Sequence, residues 1–587
     1  MILSRFHLCC ALIALLMCAP VGAAQQLTGA ARGSTTTRGS ITGRVINSAG
    51  EPLAGASIFA NRVGANVPVK IVTADESGNF KIEGVGPGLY NLSASMAGYS
   101  YSYRPTLGDT PNYVRTGDSV TFTLRKGGVI TGTVTGPNGP LIGVGVFAAQ
   151  VKDADGKKLH TAIPGGFERR TDDRGVFRIY GLPPGAYVLG ATRPRIGTVM
   201  PSPFDDDVPT FYPSGTRDTA AEIVVREGEE ITADLQYRGE PGHAVSGKIS
   251  GVFVDPTQYS SNVQFSLTDV RDLTRIANAP SSITDPSSFA FYGVPDGEYE
   301  LLAEQSLPTR EYLISAPLRI KLKGADVTGL NLALAPLASI AGRLIFEGDP
   351  KNPCAQRKDA PAVETLVYAR RFEPLNQPAG AKPPTKSEVP LSAVNATAQA
   401  VGDISGAFIL RSLPSGFYRL DPRPPAGGWY VRSVTMGPAP VRPASSNTSR
   451  DGVSVRGGDR ITGVTVTITE GGALVRGKLS LAGSQPAPKR IYLVPAEREA
   501  ANNVYRFYEA GAEGDGGFTL DNVAPGAYWI VARPSEQNET GTTRLVRQDE
   551  SLRAKVLREA ETQKRALTLK PCEEVANFDL KYSPGAP

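Results

Sequence analysis

The chain has 587 residues, 41% of them hydrophobic and 20% charged, with 64 Gly, 47 Pro and a formal net charge of +5. That length provides for several cores at roughly 100–200 residues each, and the Gly and Pro content argues for many short strands joined by turns and excludes a helix-rich protein. Sixty-two basic and fifty-seven acidic residues, interspersed along the chain, leave no field strong enough to draw nucleic acid, so no nucleic-acid partner is expected.

Residues 1–26, MILSRFHLCCALIALLMCAPVGAAQQ, place one Arg before an apolar run from Leu8 to Met17 and small residues Gly22, Ala23 and Ala24 after it. This order predicts a secretory signal peptide over 1–24 and an exported protein that is periplasmic, cell-surface or extracellular. The mature chain has no other apolar run long enough to span a membrane. Residues 25–39 have almost no apolar content and are expected to form a flexible leader. Cys9, Cys10 and Cys18 leave with the signal, so Cys354 and Cys572 remain. An even pair in an oxidising compartment is a disulfide candidate; two buried thiols in separate domains are the alternative.

Past the leader the chain repeats itself. Phe80, Phe177, Phe289, Phe408 and Phe518 each precede, by ten residues, Tyr90, Tyr187, Tyr299, Tyr418 and Tyr528. Two residues before each Tyr stands a glycine: Gly88, Gly185, Gly297, Gly416 and Gly526. Self-similarity at fixed offsets is the signature of duplicated units. Each unit opens on an alternating run with a central Gly, ITGRV, ITGTV, VSGKI, IAGRL and VRGKL, and closes on another alternating run such as SVTFTL or EVANFDL. Alternation at period two predicts half-buried strands, and Pro with Gly between the Phe and Tyr runs predicts a hairpin turn. A Tyr opening the returning strand fits a tyrosine corner, with the ring in the core and the hydroxyl on nearby backbone. Asp75, Asp173, Asp403 and Asp515, just before the hairpin Phe, are expected to make turn hydrogen bonds.

The expected architecture is all-β: five tandem Ig-like, transthyretin-like β-sandwiches over residues 40–127, 128–240, 241–336, 337–470 and 471–584. Unit four has a Pro-rich insertion between Leu344 and Asp403, read as a long surface loop. In unit five, Leu552, Val556, Leu557 and Ala560 fall at helical spacing and predict one short helix over about 549–565.

The opening strand, NSAGEPLAGASIFA over 47–60, TADESGNFKIEGVGPGLYNLSA over 73–94 and their counterparts from Ile130 resemble the carboxypeptidase regulatory-like domain. The resemblance implies a transthyretin-like sandwich, found beside metallocarboxypeptidases and in tandem in bacterial exported proteins. It is close in units one and two and rests on the hairpin and terminal strands in the rest. The wider carbohydrate-binding-like fold is kin at the level of fold and fixes no ligand.

A zinc carboxypeptidase needs a His, a Glu three residues on and a distant His, and neither His160 nor His243 has a Glu at that spacing. No nucleophile elbow, phosphate-cradling Gly-Lys-Ser/Thr or Cys-x-x-Cys occurs. The sequence therefore predicts no catalytic residues, no metal ligands and no cofactor. For ligand contact the aromatics matter most, because a sugar ring stacks on Tyr or Trp. Tyr99, Tyr101 and Tyr103, on one side of a strand, and the Trp429-Tyr430 pair are the candidates, with ordinary cross-strand packing as the competing role. The expected function is a non-catalytic exported binding or spacer protein for a glycan, or alternatively a scaffold docking an envelope protein.

Overall fold

The computed structural model describes residues 39–64, 68–100, 113–159, 168–192, 207–253, 263–271, 275–280, 287–308, 311–348, 361–372, 397–424, 427–437, 452–481, 489–513, 516–536 and 543–582. The predicted signal peptide and nearly all of the leader lie outside these residues. The fold is all-β, five tandem sandwiches with one α-helix among the described residues.

Each sandwich is organised around its opening strand. In sandwich one, Gly39–Asn47 pairs antiparallel with the first hairpin strand, Asn79–Val85, and parallel with the closing strand, Ser119–Lys126, so that Gly43 lies opposite both Phe80 and Val120. The same register recurs: Gly132 opposite Phe177, Gly247 opposite Phe289 and Leu330, Gly342 opposite Phe408 and Val464, and Gly477 opposite Phe518 and Phe578. Close approach is what demands glycine there. A Cβ on Gly342 would lie 2.5 Å from the Phe408 ring and 2.6 Å from Val464 O, and one on Gly43 would meet Val120 O at 2.1 Å. The two sequence markers, the strand glycine and the hairpin Phe, are thus one packing unit.

The second marker pair is just as local. Tyr90 Oη donates to Gly86 O at 2.9 Å, Tyr187 to Pro183 O at 2.7 Å, Tyr299 to Pro295 O at 2.8 Å, Tyr418 to Pro414 O at 2.9 Å and Tyr528 to Ala524 O at 2.7 Å. In each case the hydroxyl reaches back four residues and ties the returning strand to its own turn. Turn carboxylates precede the hairpins: Asp75 Oδ1 accepts from Ser77 N and Asn79 N, and Asp403 Oδ1 from Ser405 N and Ala407 N. In sandwich two Asp172, instead of the expected Asp173, takes this role for Arg174 N and Val176 N, because it stands four residues before Val176, as Asp75 stands before Asn79. Asp515 lies outside the described residues.

Departures from the common plan occur in sandwiches three to five. In sandwich three, Tyr312–Ser315 pairs with Gly297–Ser306 on one side and Val327–Pro336 on the other, joining both sheets into one. In sandwich four the segment expected as a surface loop contains a buried strand, Leu366–Phe372, between Thr397–Val401 and Gly416–Arg423. Its LVYA run is apolar on both faces because another sandwich covers its outer side. In sandwich five, helix α1 (Glu550–Gln563) is capped by Asp549, whose Oδ1 accepts from Leu552 N. Leu552, Val556 and Ala560 are buried against Tyr492, Val494 and Val531.

Among the described residues no helix is long and apolar enough to cross a membrane.

Candidate functional site

The second sheet of sandwich four carries, on its outward positions, Arg419, Asp421 and Arg423, alternating with inward Tyr418 and Leu420. Outward charges ordinarily face water. Here the neighbouring sandwich covers the first two: Arg419 and Asp421 are each 1% exposed and Arg370, on the adjacent strand, 8%, while Arg423 at the strand end stays exposed.

Sandwich five supplies part of their partners and sandwich four the rest. Arg419 Nη1 donates to Arg547 O at 2.8 Å and Gln548 O at 3.0 Å, and its guanidinium lies 4.0 Å from the centre of the Phe372 ring. Asp421 meets Arg423 at 3.0 Å, Arg547 at 3.1 Å and Arg370 at 3.5 Å. Burial pushes the Asp421 carboxyl up, but the guanidiniums of Arg423, Arg547 and Arg370 outweigh it and hold the group down at about 2. Tyr505 Oη donates to Leu420 O at 2.8 Å, and Arg547 Nε to Phe507 O at 2.7 Å. Glu509 accepts from Val546 N at 3.1 Å and pairs with Arg490 at 3.6 Å. Burial dominates there and raises its carboxyl above the usual range.

Sandwich one closes the third side. Leu89, beside the hairpin glycine, forms a buried cluster with Leu366 and Tyr368, and Val63, Tyr113 and Val401 pack against it. Tyr113 Oη donates to Gln399 Oε1 at 2.9 Å, and Arg115 pairs with Glu364 at 3.5 Å. Between the three sandwiches lies a cavity of ≈ 290 Å³ lined by Tyr113, Arg115, Glu364, Tyr368, Glu509 and Arg547, among others. Two of its ion pairs cross a seam, Arg115 with Glu364 and Arg547 with Asp421, an arrangement that clamps sandwiches together.

The residues singled out from sequence are scattered relative to this cleft. Tyr99 is half-buried, packed on the sandwich-one core and paired with Lys126. Tyr101 and Tyr103 lie outside the described residues. Trp429 is buried in sandwich four, its ring edge-on to Phe346 at 5.6 Å, so it packs a core and offers no open ring face to a sugar. Tyr430, next along the strand, is half-buried. Cys572 is disulfide-bonded; Cys354, its expected partner, lies outside the described residues, as do Cys9, Cys10 and Cys18. Among the described residues no group of three or more His, Cys, Asp or Glu could hold a metal ion. The cleft itself escaped sequence reasoning, although Arg-x-Asp-x-Arg at 419–423, where other units have VLGA or IVA, is the signal that marks it.

No curated protein matches the chain. Among solved structures it is similar to the Bacillus anthracis TIE protein, at 16% identity over 50% of this chain and 51% of that one with a TM-score of 0.14. It is also similar to GBS52, the minor pilin in the gram-positive pathogen Streptococcus agalactiae, at 13% identity over 34% and 96% with a TM-score of 0.18. BcpA, the major pilin subunit of Bacillus cereus, is matched at 12% identity over 51% and 99% with a TM-score of 0.13. The chain spans about half the length of the first of these, and identities and scores this low carry no functional argument. The family comparison bears on the unit where the residue pattern is closest: residues 40–125, the first sandwich, match the carboxypeptidase regulatory-like domain.

Proposed function

We propose that the chain is a non-catalytic exported scaffold in which sandwiches one, four and five pack together into a composite surface that docks a protein partner in the cell envelope. The observation that supports this reading best is the packing of sandwich one on sandwich four, with Asp421 shared between sandwiches four and five. A simple spacer needs only neighbour-to-neighbour joints. A composite surface needs distant units brought together. Arg115→Glu, which sets a second carboxylate against Glu364, tests it: the wild-type chain should capture an envelope protein that also binds when purified, and the variant should lose it while each sandwich stays folded. Equal binding by both would defeat the reading.

A second reading, carbohydrate binding, is favoured by the cleft, where Tyr113 stands beside Arg115 and Glu364, an aromatic ring with polar groups next to it as a sugar site needs. Glycan-array binding that disappears with Tyr113→Ala, without any protein partner, would transfer the function to this reading.

A further inference from the structure

Sandwich five differs from its counterparts at one edge. In sandwich four the closing strand, Arg460–Glu470, lies between the opening strand and a fourth strand, Trp429–Met436, antiparallel to it. Sandwiches one and three fill the same place with Tyr99–Ser100 and Tyr312–Ser315; in sandwich two, among the described residues, the closing strands Glu230–Thr232 and Leu235–Gln236 also pair with the opening strand alone, but Pro213 O accepts from Gln236 N beside them. In sandwich five the chain that follows the hairpin runs instead to helix α1 on the opposite sheet, and among the described residues the closing strand Glu574–Tyr582 pairs with the opening strand alone.

The side chains register the difference. Gly342, Leu344 and Phe346 lie opposite Val464, Val466 and Ile468; the same positions of sandwich five lie opposite Phe578, Leu580 and Tyr582. With a fourth strand beside them, Val464, Val466 and Ile468 are 1%, 0% and 0% exposed. Phe578 and Tyr582, larger and more apolar in area, are only half-buried.

We propose that this edge pairs antiparallel with the same strand of a second copy of the chain, about a two-fold axis at Leu580. Three observations select that occupant and register. Lys581 O accepts from the Arg565 guanidinium, which places the Lys581 peptide groups on the open edge; alternation along a strand puts those of Asp579 there too. An axis at Leu580 sets Asp579 opposite the second copy's Lys581, twice by symmetry, and Phe578 opposite the second copy's Tyr582. Opposite charges and aromatic pairs directly across strands stabilise a sheet, whereas an axis at Asp579 would set two carboxylates face to face. Finally, the bulge that blunts many edges ends at Asn577, φ 59°, before this segment. Its counterpart in sandwich four, at Gly463, φ 79°, coexists with a paired fourth strand. Asp579 Oδ1 accepts from Ser480 Oγ of the opening strand at 2.6 Å, which keeps this side chain on the outer face of the sheet. The result is a continuous six-stranded sheet across two molecules, an isologous contact that closes at two.

Sedimentation equilibrium on the full exported chain tests this, with circular dichroism to verify that each variant is folded. The wild type should dimerise. Asp579→Lys and Lys581→Asp should each weaken the dimer about tenfold, since each creates two like-charge pairs, and the double exchange D579K/K581D should restore it. Arg565→Ala, which frees Lys581 O, should tighten it. A monomeric wild type, or a dimer indifferent to all four variants, would overturn the proposal. So would a monomer that binds a peptide copying Trp429–Met436, because the edge would then take a strand donated by another protein.

Discussion

Asp421 is the residue on which the joint between sandwiches four and five turns. Its carboxylate answers three guanidiniums, and removing one partner of a buried ion pair leaves an uncompensated charge that costs about 3–5 kcal/mol. Asp421→Asn keeps the shape and removes the charge, so urea unfolding of the variant should begin well below the wild-type midpoint. The pH dependence follows from the direction of the shift. A carboxylate held at about 2 in the folded chain, against an ordinary value near 3.9 unfolded, contributes stability above about pH 4 that is lost as pH falls towards 2, on the order of 2 kcal/mol. Stability profiles of wild type and Asp421→Asn should therefore converge across that window. Glu509 works in the opposite sense, because burial raises its carboxyl and acid relieves the cost of keeping it charged. At the hairpins the chemistry is neutral. Tyr187→Phe removes the hydroxyl that Pro183 O accepts and should cost about 1 kcal/mol in denaturant titration, with the ring still in place.

The opening strand shows what one methyl group would do to an element. Gly342→Ala would push into both the Phe408 ring and Val464 O, in a core where overpacking costs about 1–3 kcal/mol and backbone contacts give way least. The variant should lower the unfolding midpoint of sandwich four more than Ala341→Gly, its neighbour, does. This coupling of strand glycine to hairpin Phe explains why the units were legible in the sequence: every contact that defines them lies within one unit and is enforced by residue type. Helix α1 was legible for the same reason, its buried Leu552, Val556 and Ala560 falling on one face. The strand Leu366–Phe372 was hidden by flanking segments that resemble a loop. The cleft was hidden more deeply. Leu89 reads as one more hairpin apolar residue, and an outward Arg419 or Asp421 reads as a solvated face, because residue type does not record which neighbour covers a sheet. Trp429 misled in the other direction, an aromatic after a turn that packs inward on Phe346.

For the whole molecule, the position of Cys572 gives a constraint that joins units. It stands in the turn before the last strand, φ 59°, with its N–H donating to Gly471 O at 3.1 Å, at the joint between sandwiches four and five. Its pairing with Cys354 would close a loop across both, removing about 5 kcal/mol of unfolded-chain entropy in the simple loop model. Peptide mapping without reductant should recover one linked fragment containing both cysteines; a link from Cys572 to any other thiol would exclude the pairing. With that bond cut, the Asp421 seam should bear the joint alone, and the Asp421→Asn variant should become markedly more sensitive to reductant than the wild type.

The parallel pairing of each opening strand with its own closing strand also determines how the chain bears load. The chain enters a sandwich at one end of this ladder and leaves at the other, as Gly39–Asn47 and Ser119–Lys126 do before the next opening strand begins at Gly128. A pull on the two ends of a sandwich therefore slides the strands along each other and strains the whole row of hydrogen bonds together, where a hairpin pulled from its open end would give way one bond at a time. Tension is met in shear, unit after unit, by the same glycine-centred strands that first betray the repeat.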